Sequence, residues 1–142
     1  MYTILYPIMG KIRNKESVID YLAGHPGGDE LEIKVLYVKA EIDVIGSDGG
    51  YVSVTHDDLE VPDYVTEMVS ELRSAGCSVD ATVRAGEGIV PVLNAIDEHD
   101  VNAVVIGDRR RSAVGKAMFG SDTLDVINDS PVPVTLIVPG DT

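Results

Sequence analysis

Cysteine is almost missing from this chain of 142 residues: Cys77 stands alone. No internal disulfide can form, which excludes a disulfide-stapled extracellular scaffold. No apolar run approaches the roughly 18–20 residues that a membrane-spanning helix needs. The opening residues, Met1-Tyr2-Thr3-Ile4-Leu5-Tyr6-Pro7, lack the basic start and small-residue cleavage site of a secretory leader. These absences point to a cytoplasmic protein with no membrane partner. Bases are scarce too, with 11 Lys and Arg against 24 Asp and Glu and a net charge of −13. A surface so acidic repels nucleic acid, which is therefore not expected as a partner. Asp outnumbers Glu and only 5 residues are Lys, a balance read as the acidic surface of a halophile.

What is present is enough for a core. Apolar residues make up 44% of the chain, so disorder is not the default. The length suits one domain, 1–142. A domain of this size buries about 68–70% of its unfolded surface. Apolar runs alternate with amphipathic stretches. Strands are expected at Thr3 to Ile8, Leu31 to Val38, Ser78 to Arg84, Val101 to Ile106 and Val132 to Val138. Helices are expected at Asn14 to Ala23, from Asp57-Asp58 to Ala75, at Gly88 to His99, and from Ser121 to Asn128. Lys39 to Asp58 reads as a long Gly- and Asp-rich loop, of the length that serves as a lid.

Strands alternating with helices predict an α/β fold, a doubly wound, Rossmann-like, five-stranded parallel sheet with helices on both faces. With strand order 3-2-1-4-5, the order reverses between strands one and four. Ligands in such sheets sit beyond the carboxyl ends of the strands at that switch point. The loops after Ile8 and Ile106 also hold most of the positive charge. Lys11, Arg13 and Lys15 follow the first; Arg109, Arg110, Arg111 and Lys116 follow the second. These are seven of the 11 bases on an acidic body. Arg offers phosphate a bidentate fork, and Gly120-Ser121 opens a helix whose free N–H groups suit an anion. The alternative is a solvated loop whose arginines balance nearby carboxylates.

The stretch from Gly107 to Ser121, Gly-Asp-Arg-Arg-Arg-Ser-Ala-Val-Gly-Lys-Ala-Met-Phe-Gly-Ser, resembles the signature of universal stress proteins: glycine, two residues, glycine, nine residues, then Gly-Ser or Gly-Thr. Gly107, Gly120 and Ser121 fall at that spacing. Val83-Arg-Ala-Gly-Glu-Gly-Ile-Val, Val101-Asn-Ala-Val-Val-Ile-Gly107 and Asp129-Ser-Pro-Val-Pro-Val-Thr-Leu-Ile-Val-Pro139 extend the resemblance over nearly the whole chain. It implies ATP or another adenine nucleotide as ligand. Pro7, Val38, Gly107, Gly120 and Ser121 match the family's nucleotide site. Ile8, Met9, Arg109, Arg110 and Asp122 occupy site positions with different residue types. Arg110 replaces the second signature glycine, and Met9 stands where nucleotide-binding members carry an Asp. The resemblance also implies a homodimer through Val132 to Val138.

Other motifs fall short. Gly86-Glu-Gly88-Ile-Val-Pro91 ends in Pro91 where a dinucleotide loop has its third glycine. Gly115-Lys116 lacks the other elements of a P-loop. Met9-Gly10 and Ala85-Gly86 stand where a phosphorelay receiver carries acids. His25, His56 and His99 have no metal-ligand spacing, and Cys77 has no partner that would make it a nucleophile. No catalytic constellation emerges. Three readings stay open: a ligand-responsive binding protein in the stress response; a protein-interaction module with an unknown protein partner that has lost the ligand; and a weak ATPase, with Asp108 the candidate to activate water.

Overall fold

The computed structural model describes residues 1–40, 61–108, 111–113, 116–118 and 120–138. Among the described residues, seven strands and four α-helices run in the order β1 (Tyr2–Ile8), α1 (Lys15–Ala23), β2 (Leu31–Ala40), α2 (Asp63–Ser74), β3 (Ser78–Gly86), α3 (Val90–Glu98), β4 (Ala103–Gly107), β5 (Arg111–Ala113), β6 (Lys116–Met118), α4 (Ser121–Asp129) and β7 (Val134–Ile137). A short 3₁₀ turn at Gly28–Glu30 leads into β2. The main sheet is five-stranded and parallel, in the order β3-β2-β1-β4-β7, which is the expected 3-2-1-4-5. β5 and β6 form a separate antiparallel pair inside what the sequence presents as a loop.

Alternation along the central strands divides the apolar side chains between two cores. Ile4, Tyr6 and Ile8 of β1 and Ile33 and Val35 of β2 meet Val18 and Leu22 of α1 and Val65, Met68 and Leu72 of α2. Leu5, Leu36, Val104 and Ile106 turn the other way, onto Val92 and Ile96 of α3 and Val126 of α4. A strand covered on both faces has no polar side, which is why β1 reads as an unbroken apolar run. Each fully buried Leu or Ile contributes about 1.5–3 kcal/mol.

The element bounds differ from expectation in instructive places. Helix α2 opens at Asp63 with Pro62 as its N-cap; Asp57 and Asp58 lie outside the described residues. Pro62 sits at φ −58, ψ 150, outside the helical region, and so stops the helix from extending backwards. Lys39 and Ala40, expected to open a long loop, belong to β2, where they pair with Ala85 and Gly86; the rest of that stretch lies outside the described residues. At the far end of α2, Gly76 takes φ +96 and the Cys77 N–H returns to the Leu72 carbonyl at 3.0 Å. That is a glycine helix stop.

The carboxyl end of the sheet is tied by one residue. Asn14 precedes α1 in the left-handed conformation, φ 57 and ψ 42. Its side-chain amide donates to the Ile137 carbonyl at 2.9 Å and to the Asp108 carbonyl. The Asp108 N–H meets the same Ile137 carbonyl at 3.0 Å. The β1–α1 loop is thus stapled across the ends of β4 and β7. Asn14→Ala should destabilise by roughly 2–4 kcal/mol, combining lost hydrogen bonds with left-handed strain. Asn14→Gly should lose about 1 kcal/mol less, because glycine tolerates the backbone. Urea unfolding of the two variants checks this; equal losses would show that the backbone conformation costs nothing here.

Candidate functional site

The switch point between β1 and β4 holds a cavity of about 220 Å³. Its floor is Tyr6, Pro7 and Ile8 of β1 with Ile106 and Gly107 of β4. Met9, Lys11 and Arg13 form one wall, and Asp108, Gly120, Ser121, Asp122 and Thr123 the other. The second wall is the first turn of α4, nine residues long, where backbone N–H groups have no helical acceptor. Lys11 is exposed and Arg13 half-buried, so the cationic wall is open to a ligand arriving from water.

Asp108 faces that wall as a carboxylate only 5% exposed. Its Oδ2 accepts the Gly120 N–H at 3.2 Å, next to the positive end of the α4 dipole. This hydrogen bond gives the acid a structural role: it holds the entry to α4 against the end of β4. Burial pushes the Tyr6 phenol well above its ordinary value, so it remains a neutral hydroxyl and not a proton acceptor. Thr123, also buried, lines the same cavity. His25 precedes β2 and His99 precedes β4, both at the amino end of the sheet, and His56 lies outside the described residues. Burial raises the Cys77 thiol, which is partly covered in the turn before β3. Among the described residues no group of His, Cys, Asp and Glu could hold a metal ion.

The expected site positions divide three ways. Pro7, Ile8, Met9, Gly107, Gly120, Ser121 and Asp122 all line the cavity. Val38 does not; it packs toward the core under α3. Arg109 and Arg110 lie outside the described residues, and for Arg111 and Lys116 the structure describes the backbone of the β5–β6 hairpin alone. Tyr6, Ile106 and Thr123 were missed because in sequence they are ordinary core residues. Asn14 was missed because an Asn before a helix reads as an N-cap, whereas here its side chain makes no cap hydrogen bond.

The two signature glycines turn out to be different kinds of position. A Cβ on Gly107 would lie 2.3 Å from the Arg13 carbonyl oxygen and 3.1 Å from Val18. Only glycine lets β4 end that close to the β1–α1 loop. A Cβ on Gly120 would meet nothing nearer than Asp108 Oδ2 at 4.0 Å, and its backbone, φ −64 and ψ 157, suits any residue. Gly107→Ala should therefore cost roughly 1–3 kcal/mol of stability through overpacking. Gly120→Ala should stay within about 0.5 kcal/mol. Calorimetric unfolding of both variants separates them.

Comparison with known proteins agrees with this architecture. The sequence model of the universal stress protein family matches residues 1–138. No relative among curated proteins matches. A universal stress protein from Archaeoglobus fulgidus superposes with a TM-score of 0.72 at 26% identity, covering 96% of this chain and 98% of that one. A structure of the Archaeoglobus fulgidus universal stress protein in complex with dAMP gives 0.67 at 22% identity, covering 96% and 98%. A universal stress protein family member from Arabidopsis thaliana with AMP bound gives 0.61 at 11% identity, covering 99% and 93%. The described strands, their parallel order and the Gly107-to-Ser121 spacing accord with a match over almost the whole length: this chain belongs to the universal stress protein family.

Proposed function

We propose that the protein is a cytoplasmic, nucleotide- or anion-responsive binding protein of the stress response. The observation that carries this reading is the cavity between β1 and β4, with Lys11 and Arg13 on one wall and the amino end of α4 on the other. A cation pair facing a helix N-terminus is a combination that favours phosphate. Two proteins that share the fold hold dAMP and AMP, which supports an adenine mononucleotide as the first ligand to try.

The second reading is a protein-interaction module that keeps the fold without the ligand. Two observations favour it. Met9 lines the cavity with a thioether, which makes only weak hydrogen bonds with a ribose. Asp108 already accepts the Gly120 N–H at one edge of the helix terminus. Hydrolysis has less support, because the acid that would activate water is engaged in that bond.

Thermal unfolding with AMP, ATP or inorganic phosphate decides between the first two. A ligand at 100 times its Kd adds about 2.7 kcal/mol, a clear rise in midpoint. We expect AMP to raise the midpoint more than phosphate does, and the Lys11→Ala, Arg13→Ala double variant to abolish the rise. No rise with any of the three would favour the interaction module.

The oligomeric state is a separate expectation. β7 pairs only with β4, and Val134 to Ile137 are half-buried, leaving one edge of the strand free among the described residues. Exposed edges are usually paired or covered. We expect light scattering at high salt to give the mass of a homodimer joined through Val132 to Val138; a monomer mass would reject that arrangement.

A further inference from the structure

We infer that Tyr64 is a positioning residue for the anion site: its hydroxyl holds the Gly10–Lys11 peptide so that the Lys11 backbone N–H is turned toward the cavity. This rests on the anion-binding reading of that cavity.

Tyr64 is the second residue of α2, and its hydroxyl donates to the Gly10 carbonyl at 2.7 Å. Gly10 joins Met9 to Lys11, both of which line the cavity. Its φ is +92, and a Cβ there would meet nothing within 4 Å. Glycine is thus required by conformation and not by space, and a glycine at such a φ leaves the next peptide weakly restrained. Its orientation is set by whatever holds the carbonyl. A trans peptide is planar, with its N–H directed opposite to its C=O. Helix α2 packs on the sheet face of Ile4 and Tyr6, whereas α4 closes the cavity from the other face. A Gly10 carbonyl drawn toward α2 therefore sends the Lys11 N–H toward the side where α4 lies.

The latch is itself supported. The Tyr37 phenol neighbours that of Tyr64, and Tyr37 stands beside Ile8 in the β1–β2 register. Burial first, and then the neighbouring Tyr37, pushes the Tyr64 phenol up, so the donor proton stays in place at physiological pH. A second grip comes from the Lys15–Glu71 ion pair between α1 and α2, which does not involve the Gly10 peptide. The two grips can be removed separately.

The test compares Tyr64→Phe with Glu71→Gln, using AMP titration calorimetry and the amide nitrogen resonance of Lys11 in the ligand-free protein, which shares its peptide with the bonded Gly10 carbonyl. Tyr64 is 38% exposed, so loss of its hydroxyl should move the unfolding midpoint little. Tyr64→Phe should weaken AMP about 5- to 10-fold, the effect of one hydrogen bond, and move the Lys11 resonance. Glu71→Gln should leave AMP affinity within about twofold and the Lys11 resonance in place, as expected of an exposed ion pair. Equal AMP affinity in Tyr64→Phe and the native protein overturns the inference. So does an equal loss in both variants, which would mean that α2 docking matters in general. If the native protein binds neither AMP nor phosphate, the functional reading fails on its own. The resonance then judges the latch: a Lys11 shift confined to Tyr64→Phe supports it, and an unmoved resonance overturns it.

Discussion

Asn14 sends one side-chain amide to two carbonyls, those of Asp108 and Ile137, and in doing so draws together three chain segments that are remote in sequence. The loop after β1, the end of β4 and the end of β7 meet there. Everything at the carboxyl end of the sheet takes its position from that junction. The Arg13 carbonyl comes to rest against Gly107, which accommodates it only by lacking a side chain. Asp108, fixed by its own carbonyl and N–H, aims its carboxylate at Gly120 and so sets where α4 begins. The left-handed backbone at Asn14 is unfavourable by about 1 kcal/mol or more. Two hydrogen bonds of about 1 kcal/mol each offset it. The cavity is therefore shaped by a polar clamp and a steric constraint, not by the apolar cores beneath it.

This division explains what was legible in the sequence. The central strands and the helices have periodic apolar patterns because each must bury a face, and those patterns survive as sequence. Val65, Met68, Val69 and Leu72 mark the buried stripe of α2 without any structure, and all four are buried. Parallel order follows from the alternation of strand and helix, and the switch point follows from the order. The clamp left no such trace. Asn14 acts on carbonyls 94 and 123 residues away, and nothing local distinguishes it from a helix cap. The β5–β6 hairpin was hidden because three-residue strands have too few side chains to alternate. Val38 was named by family likeness alone; in β2 it is partly buried against the core that includes α3. Tyr64 could not have been found: it reaches Gly10 across 54 residues, and an aromatic in the first turn of a helix is unremarkable.

Among the described residues the cavity is lined by two bases, Lys11 and Arg13, and two acids, Asp108 and Asp122. Arg109 and Arg110, and the side chains of Arg111 and Lys116, lie outside what the structure describes. The two acids are not equivalent. Asp122 is exposed in the first turn of α4, where water screens it, whereas Asp108 is buried and tied to a backbone donor. A buried carboxylate next to a helix N-terminus offsets part of the field that would attract phosphate. Among the described residues, the positive side chains that line the cavity with that acid are Lys11 and Arg13 of the β1–α1 loop.

The family signature can be read in the same terms. Its spacing places Gly107 and Gly120 thirteen residues apart, and a match at both looks like a single statement about a nucleotide. The contacts show two independent constraints. Gly107 is required by folding: the Arg13 carbonyl would collide with any side chain there, with or without a ligand. Gly120 is not required by the described fold, since neither its backbone angles nor its surroundings exclude alanine. A chain that had lost its ligand would still need the first glycine and could lose the second without cost. Retention of Gly107 therefore says nothing about binding. Gly120 is the informative position, and it lines the cavity at the start of α4. Gly120 is thus the part of the signature that the described fold does not explain.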